Sequence, residues 1–320
     1  MLLTADSSFY HELCGSSVNV AVREMLSFLA EVNLMFQNTD FDENLIPDNI
    51  GLKVKEIRIF TTPVFPFEYS FHSKNYLELF SVMSHSKLCL SLAFTYRTFI
   101  DSVLGISWIA NPREDPRGGI CAGKYSRRGW LNTLAVNMKT ISGNAVSHQK
   151  AALNVAHEIG HSFGSLHDNV SCSGNSLHTM APISPQKASF SVCSRRRMLQ
   201  VMRSNGGCLT KKYSFSFCGN VHCSRIALGN FRAGVVRCRV KSAGERGVCL
   251  GHRVAAALAA TALLFSEQSS RSRKSPRKLP QLTMPAPPAI RRLTHKPLFQ
   301  EKADNSLWAP HHQRALVVIH

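Results

Sequence analysis

This chain of 320 residues has no apolar run of the ~20 residues that a bilayer-spanning helix needs. Its run at 254–265 is about half that length, enough for a short core or interfacial helix. Closely paired cysteines of the CxxC kind are also absent, which excludes a zinc-ribbon reading of the 10 cysteines. The opening LLTADSSFY lacks a charged n-region, a long apolar h-region and a small-residue cleavage site, so no signal peptide is expected there. Acidic residues are scarce beyond position 210, with 4 Asp and Glu against 19 Lys and Arg, whereas residues 1–210 hold 16 against 19. The net charge of +18 is therefore a property of the tail. It says little about what the first 210 residues bind.

A hydrophobic share of 44% supports one sizeable core, and 320 residues allow about two domains. Residues 266–292 are Ser, Arg, Lys and Pro with little to bury, a signature of disorder, and the whole stretch 250–320 is expected to be a basic, low-complexity tail. Its basic runs could give weak polyanion binding, but no nucleic-acid fold signature accompanies them and a solvated linker is the plainer reading.

What the chain does have is HEIGHSFGSLHD at 157–168. On a helix, His157 and His161 stand one turn apart and leave the same face, where both can grip one ion. Gly164 lets the backbone break and return, which would bring His167 to that ion as a third ligand. Three protein ligands and one open position mark a catalytic rather than a structural Zn2+ site. Glu158 lies beside the first ligand but off the ligand face, placed to serve as general base. HExxH alone arises by chance in unrelated helices; the Gly, the third His and a downstream Met180 complete the longer pattern.

At these residues the chain resembles the metzincins, and within them the adamalysin (reprolysin) group, whose motif carries Asp after the third His, as Asp168 does here. A closer resemblance, over residues 1–210, is to the metalloproteinase domain of the Kuzbanian-type ADAM proteases. It is carried by VLGISWIA at 103–110, GGIC at 118–121, the histidine motif and the cysteine placements. The resemblance implies an α/β zincin-like domain with a twisted mixed sheet, an active-site helix and a Met-turn at Met180, the metal lying between upper and lower subdomains. It implies one catalytic zinc and hydrolysis of protein or peptide substrates. By that likeness the chain would be a shedding-type endopeptidase acting on membrane-protein ectodomains, placed outside the cell or at its surface. The alternative is a non-catalytic product of this lineage that binds a partner or lacks function. Because the family's catalytic domain follows a signal sequence and a prodomain, the chain is expected to be truncated at its front.

The resemblance also suggests that the strand at 103–110 is the sheet edge above the active-site helix, making Leu104, Gly105 and Ile106 candidates for the substrate platform, since an edge strand offers unpaired backbone groups to an extended peptide. It pairs Cys172 with Cys193 and Cys121 with Cys208, and it leaves Cys89 free or paired with Cys14. Residues 181–183 would wall the pocket after the cut bond. FCGN at 217–220 is similar to a disintegrin opening, but the cysteine framework that should follow is missing, so 211–249 is expected to be a remnant of that module.

The remaining elements follow from periodicity. Val18, Val22, Met25, Leu29, Val32 and Phe36 recur at helical spacing and predict a core helix over 18–36. Runs at 52–60, 88–94 and 131–138 read as strands, with a polar loop holding Pro63 and Pro66 between the first two. Ser147 is the expected N-cap of the histidine helix, with Ala152, Ala156, Ile159 and Phe163 as its core stripe. A last helix is expected over 193–205, with Met198, Leu199 and Met202 inward and Arg195 to Arg197 on a solvated face.

Overall fold

A computed structural model describes residues 1–111, 113, 118–125, 128–173, 177–182, 185–209, 219–228, 231–242 and 316–319. Strand β1 (Leu2–Ala5) opens the chain and is followed by helix α1 (Val18–Gln37), in agreement with the helical spacing of its apolar residues. Ser17 caps α1, its hydroxyl accepting from the Val20 amide at 3.4 Å. Next come β2 (Glu56–Phe60), α2 (Ser73–Val82), β3 (Ser91–Thr95) and β4 (Gly105–Trp108). A small two-stranded ribbon, β5 (Lys124–Tyr125) with β6 (Gly129–Trp130), precedes β7 (Thr133–Asn137). The histidine helix is α3 (His148–Ser162); α4 (Val170–Ser173) and α5 (Val192–Asn205) lie after it.

The main sheet contains two further strands, β8 (Gly219–Leu228) and β9 (Phe231–Ser242), and ends with β10 (Leu316–Ile319). Its order is β10-β4-β7-β3-β1-β2-β9-β8. The central strands β2, β1, β3 and β7 run parallel, while β4, β9, β8 and β10 pair antiparallel. The sheet is thus mixed, as expected.

Strand alternation divides the core between two faces. Leu92 and Phe94 of β3, with Leu134 and Val136 of β7, pack with α1 and α3. Ala93, Ala135, Ile106 and Trp108 face the other way, into a cluster built on Tyr76, Leu77 and Phe80 of α2. Ile159 and Phe163 are buried, as the stripe on α3 required; each contributes about 1.5–3 kcal/mol by leaving water.

Three elements differ from the sequence reading. Residues 73–82, expected to lie in a polar loop, form α2, because Tyr76, Leu77 and Phe80 give one short apolar face. The stretch read as a disintegrin remnant contributes a hairpin, β8–β9, to the main sheet, with Glu56 of β2 opposite Arg239 and Phe60 opposite Val235. Within the tail, Leu316–Ile319 is a strand; three of its four residues are β-branched and favour an extended backbone. The tail's basic run at 266–292 lies outside the described residues.

Candidate metal centre

Helix α3 is fixed at its C-terminal end before it presents anything. The Ala110 amide, just past β4, donates to His161 O at 3.2 Å, and the Ile120 amide donates to Ser162 O at 2.8 Å. Gly164 then leaves the helix at φ +93°, and the Ser165 amide turns back to Gly160 O at 3.0 Å. This is the break expected of Gly164. It returns the chain so that His167 faces the two helical histidines.

The three imidazoles meet. Their ring centroids lie 4.6 Å (His157–His161) and 5.0 Å (each to His167) apart. One nitrogen from each falls within 4.8 Å of the others. His157 Nδ1 lies 2.6 Å from Thr179 O, and His161 Nδ1 lies 2.7 Å from Ser165 O. A carbonyl oxygen only accepts, so each Nδ1 carries the proton and each Nε2 presents its lone pair. His157 Nε2 and His167 Nε2 then stand 3.1 Å apart, and His161 Nε2 is buried with no hydrogen-bond partner. Burial holds all three imidazoles below the usual histidine range, His161 to about 3; repulsion from the neighbouring histidines adds to this at His157 and His161, while Asp168 partly offsets it at His167. Neutral rings with converging nitrogens fit a cation such as zinc, which would also satisfy the buried, partnerless His161 Nε2.

Glu158 is fully buried and faces β4. A Cβ on Gly105 would overlap its Oε1, so the space that a side chain at 105 would fill holds this carboxylate instead. Neither Glu158 oxygen has a hydrogen-bond partner, and burial raises its pKa well above the carboxylate range, with the nearby Ser107 hydroxyl offsetting this only in part. Leu104 and Ile106 are buried, and Ile106 packs into the α2 cluster on the opposite face, so of the three platform candidates Gly105 alone abuts Glu158. The free edge expected for β4 carries β10.

Met180 is buried against α3, where a Cβ on Gly160 would overlap its Sδ. The second unspecified position of HExxH is thus a glycine whose missing side chain makes room for the Met-turn. Asp168 ties the His167 loop down: its amide donates to Met180 O at 2.8 Å, and its Oδ1 accepts from Ser191 at 2.6 Å and Ser194 at 2.7 Å. Ser191 also caps α5. Sequence reasoning missed Thr179, Ser165, Ser191 and Ser194; a Ser-x-x-Ser just before an apolar-periodic segment was the one available sign. Of residues 181–183, Ala181 is buried beside Met180, and Ile183 lies outside the described residues.

Cys172 and Cys193 stand 5.5 Å apart at Cα and Cys121 and Cys208 5.4 Å, both pairs in disulfide geometry. Cys89 approaches the Cys208 sulfur as well, while Cys14 is buried and free, so the Cys14–Cys89 alternative is not formed. Cys223 and Cys238 pair across β8 and β9, a link not anticipated from sequence.

Residues 18–204 match the model of the reprolysin-like metallopeptidase family M12B. The chain belongs to this family. It is 30% identical over 246 residues to disintegrin and metalloproteinase domain-containing protein 10 of Xenopus laevis, covering 69% of this chain and 32% of that protein. For the Homo sapiens protein the figures are 31% over 225 residues, 62% and 29%. A Caenorhabditis elegans homolog is 37% identical over 145 residues, 40% of this chain and 16% of that one. The chain spans about a third or less of the length of these relatives. M12B membership implies a zinc cofactor, in keeping with the donor set described above. Among the described residues, no helix is long and apolar enough to cross a membrane.

Proposed function

We propose that this M12B chain is a zinc-dependent endopeptidase in which His157, His161 and His167 hold one Zn2+ and Glu158 is the general base. The observation that carries this reading is the convergence of three Nε2 lone pairs, two of them committed by Nδ1–carbonyl hydrogen bonds. Bound zinc would supply Lewis-acid polarisation of the scissile carbonyl and stabilise the negative charge that develops there. Glu158 takes the proton of the attacking water and passes it to the leaving amine, the general-base role open to a carboxylate next to the first ligand but not among the ligands. Gly105 leaves the room in which that carboxylate sits, and an extended peptide would join the chain over Leu104 to Ile106 at the edge that β10 covers. Met180 forms the apolar floor under the histidines, and Asp168 holds the third in place.

The likeness to disintegrin and metalloproteinase proteins supports protein substrates, with membrane-protein ectodomains as the class we favour, and a site of action outside the cell, where Cys172–Cys193 and Cys121–Cys208 would stay oxidised. The test is a metal analysis together with a quenched-peptide library. Glu158→Gln should keep one zinc per chain and lose roughly 10²–10⁴-fold in turnover. Turnover equal to the parent's would overturn the assignment.

A further inference from the structure

We propose that the chain's own segment Leu316–Ile319 occupies the substrate edge of β4, competing in cis with any peptide that would bind there. This rests on the reading of β4 as the strand that receives substrate. One edge of β4 is taken by β7, with Gly105 opposite Val136, Ile106 opposite Ala135 and Ser107 opposite Leu134. Only the other edge remains for an incoming strand, and β10 fills it: Leu316 stands opposite Trp108, Val317 opposite Ser107, Val318 opposite Ile106 and Ile319 opposite Gly105.

Three features of that register matter. It is antiparallel, so β10 offers β4 the ladder that an added peptide strand would offer. It covers all four residues of β4, leaving no part of the strand open. It ends at Gly105, the residue whose missing side chain makes room for Glu158, so the occupied stretch reaches the proposed base. Two chains cannot pair with one backbone edge at the same time. A substrate must displace β10, and the sequence LVVI shows what the edge accepts, an extended apolar stretch rich in β-branched residues.

The size of the effect follows from effective concentration. A tethered segment is present at on the order of 1 mM. If the free strand binds β4 with a Kd of about 0.1–1 mM, KM for a competing peptide is raised roughly two- to tenfold and kcat is untouched.

The experiment compares the full chain with the double variant Val317→Pro/Val318→Pro. Along an antiparallel ladder alternate amides face the partner, so two adjacent prolines remove a donor to β4 whichever parity applies. Amide hydrogen exchange over residues 104–108 should quicken in the variant, while that of α3 stays as it was. KM for a quenched peptide should fall roughly two- to tenfold at constant kcat. A synthetic peptide containing LVVI, added to the variant, should restore both values. Unchanged exchange over 104–108 would overturn the proposal. Faster exchange with an unchanged KM would also overturn it, showing that β10 leaves an edge that substrate does not use; the zinc assignment would stand. If neither protein cleaves any peptide, the endopeptidase reading fails, and the exchange arm still decides whether 316–319 occupies β4.

Discussion

Gly164→Ala tests the turn on which the third histidine depends. Gly164 sits at φ +93°, where a Cβ costs about 1–2 kcal/mol of backbone strain. The added methyl would also overlap Val201 Cγ2 and come 3.0 Å from Ala110 O. Val201 is buried in α5, and Ala110 is the residue whose amide holds the end of α3, so neither neighbour yields freely. Overpacking of this kind costs about 1–3 kcal/mol, which brings the total to roughly 2–5 kcal/mol. A control separates the two contributions. Gly143 has φ +82° and open space within 4 Å of where a methyl would stand, so Gly143→Ala should cost the strain alone. Denaturant unfolding of both variants with a chelator present keeps metal linkage out of the comparison. With metal restored, Gly164→Ala should bind zinc on the order of 10–100-fold more weakly, because relief of strain moves the His167 loop. The reasoning is refuted if Gly164→Ala costs no more than Gly143→Ala and holds zinc as tightly as the parent.

Asp168→Ala leaves the buried hydroxyls of Ser191 and Ser194 without their shared acceptor, and unfolding should show a loss of roughly 2–4 kcal/mol; a loss below about 0.5 kcal/mol would remove Asp168 from its anchoring role. Burial pushes His85 down to about 4, with its Nε2 on Phe80 O and its Nδ1 unpartnered. The unfolded chain therefore takes up this proton first, so the stability His85 contributes is complete above about pH 6.5 and is lost as pH falls towards 4, about 3 kcal/mol in all. In His85→Gln that part of the acid dependence disappears, and the stability gap between parent and variant, read by urea unfolding at about pH 7.5 and about pH 4.5, should shift by most of this amount; a gap independent of pH would contradict the assignment.

The parts legible in the sequence were those whose signal is local. The apolar period of α1 and the spacing HExxHxxGxxH each lie within one element and its exit turn, so side-chain geometry follows from residue count. Contacts between distant segments left no such trace. The hairpin β8–β9 joins the sheet with Glu56 against Arg239, and nothing near either residue announces the other. Helix α2 was hidden by its length and by the prolines before it. The arginine run at 195–197 carries a further lesson, since a solvated face was expected. Arg196 and Arg197 are indeed exposed, yet Arg196 also makes two hydrogen bonds to Glu43, at 2.6 and 2.8 Å, and Arg195 donates to Asp40 O, so two of the three hold the loop after α1. At the metal centre the ligands were readable and their supports were not, because a carbonyl that fixes a tautomer, such as Thr179 O, carries no side-chain signature.

The parallel core of the sheet sets a timetable for synthesis. β1 at residues 2–5 pairs with strands at 56–60 and 91–95, and the latter pairs with 133–137. A growing chain must therefore hold its first strand unpaired while long loops are made, a high contact order that slows folding. Helix α3 follows β7 in the chain, so the strand it packs on is already made when the helix emerges. Thr179, Ser191 and Ser194, which orient His157 and anchor the His167 loop, are translated later still. At elongation rates of about 5–20 residues per second, the 57 residues from Asn137 to Ser194 take roughly 3–11 s. The supports of the centre that would cut peptide bonds are thus made well after the parallel core of the sheet, so a nascent chain that has only that core does not yet hold the centre in working order.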